Sequence, residues 1–238
     1  MSIFTIADLH LPGEKGKDKS MEVFGRRWIG GVDKLIKNWN AIITPEDTVV
    51  LPGDISWAMT LEEATKDFEL LNALPGTKII GKGNHDFWWT TASKMYRFFE
   101  DHGFNSLKIL YNNSYVINDI AICGSRGWFS EETNQKTVGE VDWLKIVDRE
   151  TLRLKMSLES LPKDVEYTQK IVFLHFPPVW SNSVSEDIVS LMRAHNVKTC
   201  YYGHIHGVYT SDVNFKYNGI EFKMISADYL DFCPQKVF

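Results

Sequence analysis

Short runs of β-branched, aliphatic and aromatic residues occur at positions 3–7, 48–51, 78–80, 108–111, 114–117, 120–123, 170–174 and 199–202, each bounded by polar or turn-forming residues. Apolar runs this brief suit strands better than helices. A further strand pair is expected around Asn218-Gly219, because that dipeptide favours the left-handed backbone of a tight hairpin. Elsewhere the spacing becomes helical. Val23, Phe24, Trp28, Val32, Leu35, Ile36 and Trp39 share one helical face, as do Leu61, Ala64, Phe68 and Leu71. Helices are also expected over 91–100, 140–160 and 184–195. Strands alternate with helices at the front, follow one another in the middle and return at the end, an order that predicts mixed sheets covered by helices.

The chain has 238 residues and shows no internal repeat, low-complexity tract or linker, so one domain spanning 1–238 is expected. Its least patterned stretch is 125–137, long enough to form a lid or the rim of a site. An apolar share of 44% beside 24% charged residues fits a soluble globular protein. No run approaches the roughly 18 apolar residues of a membrane span, and the opening lacks the basic start of a signal peptide, so a cytoplasmic location is expected. Cys123, Cys200 and Cys233 are odd in number and widely spaced, which points away from a disulfide framework or a thiolate metal cage. A net charge of −5 argues against a protein that grips extended nucleic acid. A small phosphate ester stays open as a partner, because bound metal ions can supply the positive charge.

Five blocks carry the chemistry: Asp8-Leu9-His10, Gly53-Asp54, Gly83-Asn84-His85-Asp86, His175, and Gly203-His204-Ile205-His206. Each closely follows an expected apolar strand. Sites in sheets flanked by helices gather beyond the carboxyl ends of strands, so the five blocks can converge despite their separation in sequence. Imidazole mixed with carboxylate suits borderline divalent ions such as Mn, Fe, Co, Ni or Zn, whereas an all-oxygen set would suit Mg or Ca. On an extended tail, Asp8 and His10 would point to the same side, and His204 and His206 would do likewise. The glycines at 53, 83 and 203 would permit close backbone approach. His102 and His195 lie outside the blocks and read as structural or surface residues.

The ordered set resembles the calcineurin-like metallophosphoesterase superfamily, whose pattern is D-x-H, G-D, G-N-H-D/E, a lone H, then G-H-x-H. The blocks run from position 8 to 206, and no ligand position is missing. The resemblance implies two mixed β-sheets packed together and flanked by helices, an α/β/β/α sandwich. It also implies two divalent ions, manganese among the candidates, with Asp8, His10 and His206 on one, Asn84, His175 and His204 on the other, and Asp54 between them. A metal-bridging hydroxide would then attack a phosphate mono- or diester. His85 would protonate the departing alkoxide or donate to the phosphoryl group. Asp86 would orient His85 or order the loop, or else cap the following helix.

Gly53-Asp54-Ile55-Ser56-Trp57 lacks the arginine that protein serine/threonine phosphatases carry shortly after this aspartate. His175-Phe176-Pro177-Pro178 is similar to the His-x-Pro-Pro of small bacterial-type phosphohydrolases and cyclic-nucleotide phosphodiesterases, although a structural turn explains the prolines equally well. Asn84 and Arg126 are candidates for contact with substrate, Arg126 through a guanidinium fork on a phosphate oxygen; a solvated arginine is the plain alternative. Trp57, Trp88, Trp89, Trp128 and Trp180 lie near the blocks, either as ordinary packing or as an apolar wall for a nucleobase or another hydrophobic alcohol. A catalytically weak protein-interaction scaffold of the same fold, such as a retromer subunit, and a nuclease are the rival readings. The complete ligand set disfavours the first, and the acidic chain disfavours the second.

Overall fold

Every expected strand forms. The computed structural model describes residues 1–13, 21–129 and 143–238. In the first sheet β1 (Ile3–Thr5), β2 (Thr48–Leu51), β3 (Thr77–Ile80) and β4 (Leu107–Ile109) run parallel. The connections between them carry α1 (Gly31–Ile42), α2 (Thr65–Ala73) and α3 (Ala92–Asp101). The second sheet contains β5 (Tyr115–Ile117), β6 (Ile120–Ser125), β7 (Gln169–Leu174), β10 (Thr199–Tyr202), β11 (Phe215–Tyr217) and β12 (Ile220–Met224). Its helices are α4 (Trp143–Glu159) and α5 (Glu186–Ala194). Its order is β11-β12-β10-β7-β6-β5, with β12, β10, β7 and β6 parallel and the two edge strands antiparallel.

Side chains alternate across each strand, and the central strands β1, β2, β3, β7 and β10 are largely buried on both faces. In β7, Ile171 and Phe173 face the other sheet, where they join Ile3, Val50 and Ile79. Val172 and Leu174 face the opposite way, toward Leu154 and Leu158 of α4 and Ile188 and Met192 of α5. In the first sheet Phe4, Val49, Leu51 and Ile80 pack on Leu35 and Trp39 of α1, Phe68 of α2 and Phe99 of α3. The layers are therefore helix, sheet, sheet, helix. Burial on both faces is why these strands read as continuous apolar runs instead of alternating ones. A fully buried charge interrupts β3 at Lys78, whose ammonium donates to the carbonyls of Leu74 and Gly76 at 2.6 and 2.7 Å. Burial pushes its pKa down to about 8.

Three local differences from the expected elements have physical causes. The helical face expected over 23–39 is interrupted: short 3-10 turns occupy Met21–Phe24 and Arg26–Trp28, and α1 begins only at Gly31. Gly30 takes a left-handed conformation (φ 63°) that a continuing helix does not contain, and Val23 and Phe24 are left exposed. The strand pair β8 (Val179–Trp180) and β9 (Ser183–Val184), and the edge strand β13 (Gln235–Lys236) antiparallel to β1, are two residues each, too short to leave a periodic signal. The Asn218-Gly219 hairpin forms as expected, both residues having positive φ. Most of the loop expected over 125–137 lies outside the described residues. Among the described residues no helix is long and apolar enough to cross a membrane.

Candidate metal centre

All five blocks sit just past the carboxyl ends of parallel strands: those of β1, β2 and β3 in one sheet and of β7 and β10 in the other. The sheets pack so that these ends adjoin, and residues nearly two hundred positions apart come into contact. Two groups of ligand-type side chains result, Asp8 with His10 and His206, and Asp54 with His175 and His204. His10 Nε2 lies 3.4 Å from His206 Nε2, and His204 Nδ1 lies 3.3 Å from His175 Nε2. Asn84 joins the second group, its Oδ1 being 2.7 Å from His175 Nε2.

The expected extended geometry of the D-x-H and H-x-H blocks is not what brings the side chains together. Asp8, His10, Asp54 and His204 all have positive φ, between 45° and 71°. Left-handed backbone at non-glycine residues is costly and persists only where its surroundings impose it. Here the surroundings are identifiable. The amides of Asp8 and His10 donate to the carbonyls of Gly53 and Asp54 at 3.0 and 2.9 Å, and the amide of His204 donates to the Asp8 carboxylate. A Cβ on Gly203 would come within 2.5 Å of Asp8 Oδ2, so only glycine allows the two turns to meet. Gly83 is equally constrained, pressed against the backbone and carboxylate of Asp54.

The donor set fits a divalent metal. Burial holds His10 and His175 well below the usual histidine range and His204 at about 3, with neighbouring imidazoles adding to the effect, so these rings are neutral with lone pairs to offer. Burial also raises Asp8 to about 6 and Asp54 well above the ordinary carboxylate range, where Asp86 and Asp8 add repulsion. Neutral imidazoles facing one another among desolvated carboxylates form a set that a cation completes. His85 belongs to neither group. It is half-buried, its amide donates to Asp54 Oδ1 at 2.8 Å, and its Nδ1 has no hydrogen-bond partner.

Asp86 orders the loop, one of the roles expected of it. Its buried carboxylate accepts from the amides of Gly83, Asp54 and Ile55 at 2.7–2.8 Å and from the Trp88 indole at 3.0 Å, tying the second block to the third. The cap of α3 is instead Thr91. The Arg126 guanidinium pairs with buried Glu150 at 3.2 Å and lies over the Trp128 ring, and Arg126 is not among the residues that line the cavity above the ligand groups. Its carbonyl accepts from the amides of His175 and Phe176, which fixes the end of β7. Of the five tryptophans, Trp57 lines that cavity, whereas Trp88 packs on Phe68, Trp128 on Phe176, Trp89 on Tyr111 and Trp180 on Tyr202. His102 and His195 cap the C-terminal ends of α3 and α5, as structural residues do.

Two contributors were not singled out by sequence. Trp28, assigned to a helical face, lies edge-on to His10 and His206. Asp228, shortly after β12, accepts from His206 Nδ1 at 2.9 Å, so His206 turns Nε2 toward the ligand group. The signal was weak, since Asp228 follows a strand, as the five blocks do, but β12 alternates apolar with charged residues and one acid without a motif partner carries little weight.

A profile of calcineurin-like phosphoesterases matches residues 1–208, a span that contains all five blocks. The chain belongs to the calcineurin-like phosphoesterase family. Membership and the two ligand groups together support a metal-dependent hydrolase of phosphate esters. The uncharacterized protein MJ1445 of Methanocaldococcus jannaschii is 33% identical over 86 residues, 35% of this chain and 45% of that one, so the match spans less than half of the relative. The phosphopantetheinyl hydrolase PptH from Mycobacterium tuberculosis has a similar fold (TM-score 0.57, 14% identity, 100% of this chain and 95% of that chain). So does TT1561 of Thermus thermophilus (TM-score 0.54, 12% identity, 95% and 89%).

Proposed function

We propose that the chain hydrolyses a small phosphate mono- or diester at a two-metal centre. Asp8, His10 and His206 hold one divalent transition-metal ion, Asn84, His175 and His204 hold the other, and Asp54 is shared. The observation that carries this reading is the position of Asp54, whose Oδ2 lies 3.6 Å from His10 Nε2 in one group and 3.5 Å from His175 Nε2 in the other. A carboxylate oxygen equidistant from the two half-sets suits a bridging ligand. When bound, such ions supply positive charge for the phosphoryl oxygens and acidify water at neutral pH.

The protein's own groups do the rest. Asp228 orients His206, and Asp86 holds the turns that present Asp54 and Asn84. His85 is anchored through its backbone to Asp54 and lines the cavity, so it is the group placed to protonate the departing oxygen or to donate to the phosphoryl group. The cavity above these residues, about 470 Å³, is of small-molecule size.

The test is reconstitution of the purified chain with Mn, Zn, Fe, Co or Ni, followed by assay on p-nitrophenyl phosphate, bis(p-nitrophenyl) phosphate and thymidine 5′-p-nitrophenyl phosphate. Elemental analysis should show two ions per chain, together with turnover of at least one ester. A chain that takes up no transition metal, or takes it up and cleaves none of the three, overturns the reading.

A further inference from the structure

We propose that Met21, Phe24, Trp28 and Trp57 form a pocket for an aromatic alcohol portion of the ester, a proposal that rests on the phosphoesterase reading of the adjoining residues. The cavity lining combines the polar groups of Asp54, His85, His204 and His206 with these four apolar residues. Trp57 adjoins the polar groups directly, its indole stacking on His10 (centroids 5.0 Å apart, planes 25° apart) and lying 4.3 Å from the His85 ring. An ester oxygen close enough to His85 to receive its proton therefore carries its first carbons against Trp57. Trp28, edge-on to His10 and His206, adds a second indole to the lining.

Phe24 completes the wall and is 67% exposed, on a turn that leaves the neighbouring Val23 exposed as well. Exposed apolar side chains bordering a polar floor mark a ligand-binding surface more often than isolated ones do. The turn is also held in place. Glu22 accepts from the amide of Gly30 at 3.1 Å, and the Arg27 guanidinium donates to the carbonyls of Asp228 and Tyr229 at 3.0 and 2.9 Å while lying over the Tyr209 ring. Asp228 is the residue that orients His206, so wall and floor share an anchor. A preformed wall loses little conformational freedom on binding. Three of its four members are flat rings, which favour an aromatic partner over an aliphatic chain.

The test compares 2-naphthylmethyl phosphate with ethyl phosphate, and the corresponding methyl diesters, in the metal-reconstituted full chain. Both leaving groups are primary alcohols, so their intrinsic leaving abilities are close. The naphthylmethyl ester should be preferred in kcat/KM by about tenfold, the scale on which apolar pockets discriminate. Phe24→Ala should reduce that preference about threefold or more, mainly through KM, with an unchanged thermal melt as control. Equal efficiency for the two alcohols, or a preference that Phe24→Ala leaves intact, overturns the pocket while leaving the phosphoesterase reading standing. Absence of all ester hydrolysis counts against the phosphoesterase reading instead. The pocket is then judged by binding of 2-naphthylmethanol, followed by its own fluorescence: saturable binding weakened by Phe24→Ala supports it, and no saturable binding overturns it.

Discussion

His85 and Asp86 are adjacent in sequence and divide the work between them. Asp86 is engaged inside the protein by backbone amides, whereas the His85 ring lines the cavity. His85→Ala should therefore lower kcat about 10²–10⁴-fold, the usual contribution of a positioned proton donor, while elemental analysis finds the metal content of the unsubstituted chain. Lys78 gives a second expectation at this scale. Folded, it releases its proton near pH 8; unfolded, near the usual lysine value of about 10.4. Between those values the unfolded chain binds more protons, so the contribution of Lys78 to stability rises with pH. Other groups titrate there too, and the comparison with Lys78→Met cancels them. Urea unfolding should show the unsubstituted chain gaining on the variant from pH 8 to about 10, by on the order of 1–3 kcal/mol.

At the scale of elements, strand ends and the turns beyond them decide the geometry. Left-handed backbone at Asp8, His10, Asp54 and His204 is imposed by amide contacts between neighbouring turns, and those contacts need a bare backbone at Gly203. The φ of Gly203 is not in the left-handed region, so the cost of Gly203→Ala is steric, a methyl group driven against Asp8 Oδ2 and Ala7 Cβ at 2.5 and 2.7 Å. The variant should lose about 1–3 kcal/mol in denaturant unfolding and bind metal more weakly, because the carboxylate that gives way is itself in a ligand group. The interrupted helix before α1 belongs here as well. Its break at Gly30 leaves residues 21–28 free of the helix axis, and that freedom lets Phe24 and Trp28 reach the cavity.

Across the whole molecule, the ligand groups join the two sheets. Asp8, His10, Asp54 and Asn84 follow strands of one sheet, and His175, His204 and His206 follow strands of the other. An ion bound by both sheets stabilises their packing as well as itself. Manganese at about a hundredfold over its dissociation constant should add about 2.7 kcal/mol, read as a rise in melting temperature that a chelator reverses. Binding requires an ionised Asp8, which burial has raised to about 6. Asp54, which is raised well above the usual carboxylate range, and His206, whose pKa the Asp228 carboxylate raises, must also lose their protons, so the affinity measured by calorimetry should fall progressively as pH drops.

Much of this was legible in the chain itself. Apolar runs located the strands because the central ones are largely buried on both faces, and the five blocks were visible because ligand types are restricted and each follows a strand. Short pairings such as β8 with β9 left no periodic trace. Sequence could not show that Arg126 would be taken by Glu150, because an arginine's partner depends on which helix packs over it. Nor could it show that Asp86 would bind amides instead of directing His85, or that Trp28 and not Trp88 would reach the cavity. Residue identity determined which chemistry was possible. Tertiary structure decided which atoms remained free to perform it, because a hydrogen bond or ring contact already made within the protein withdraws that atom from the substrate.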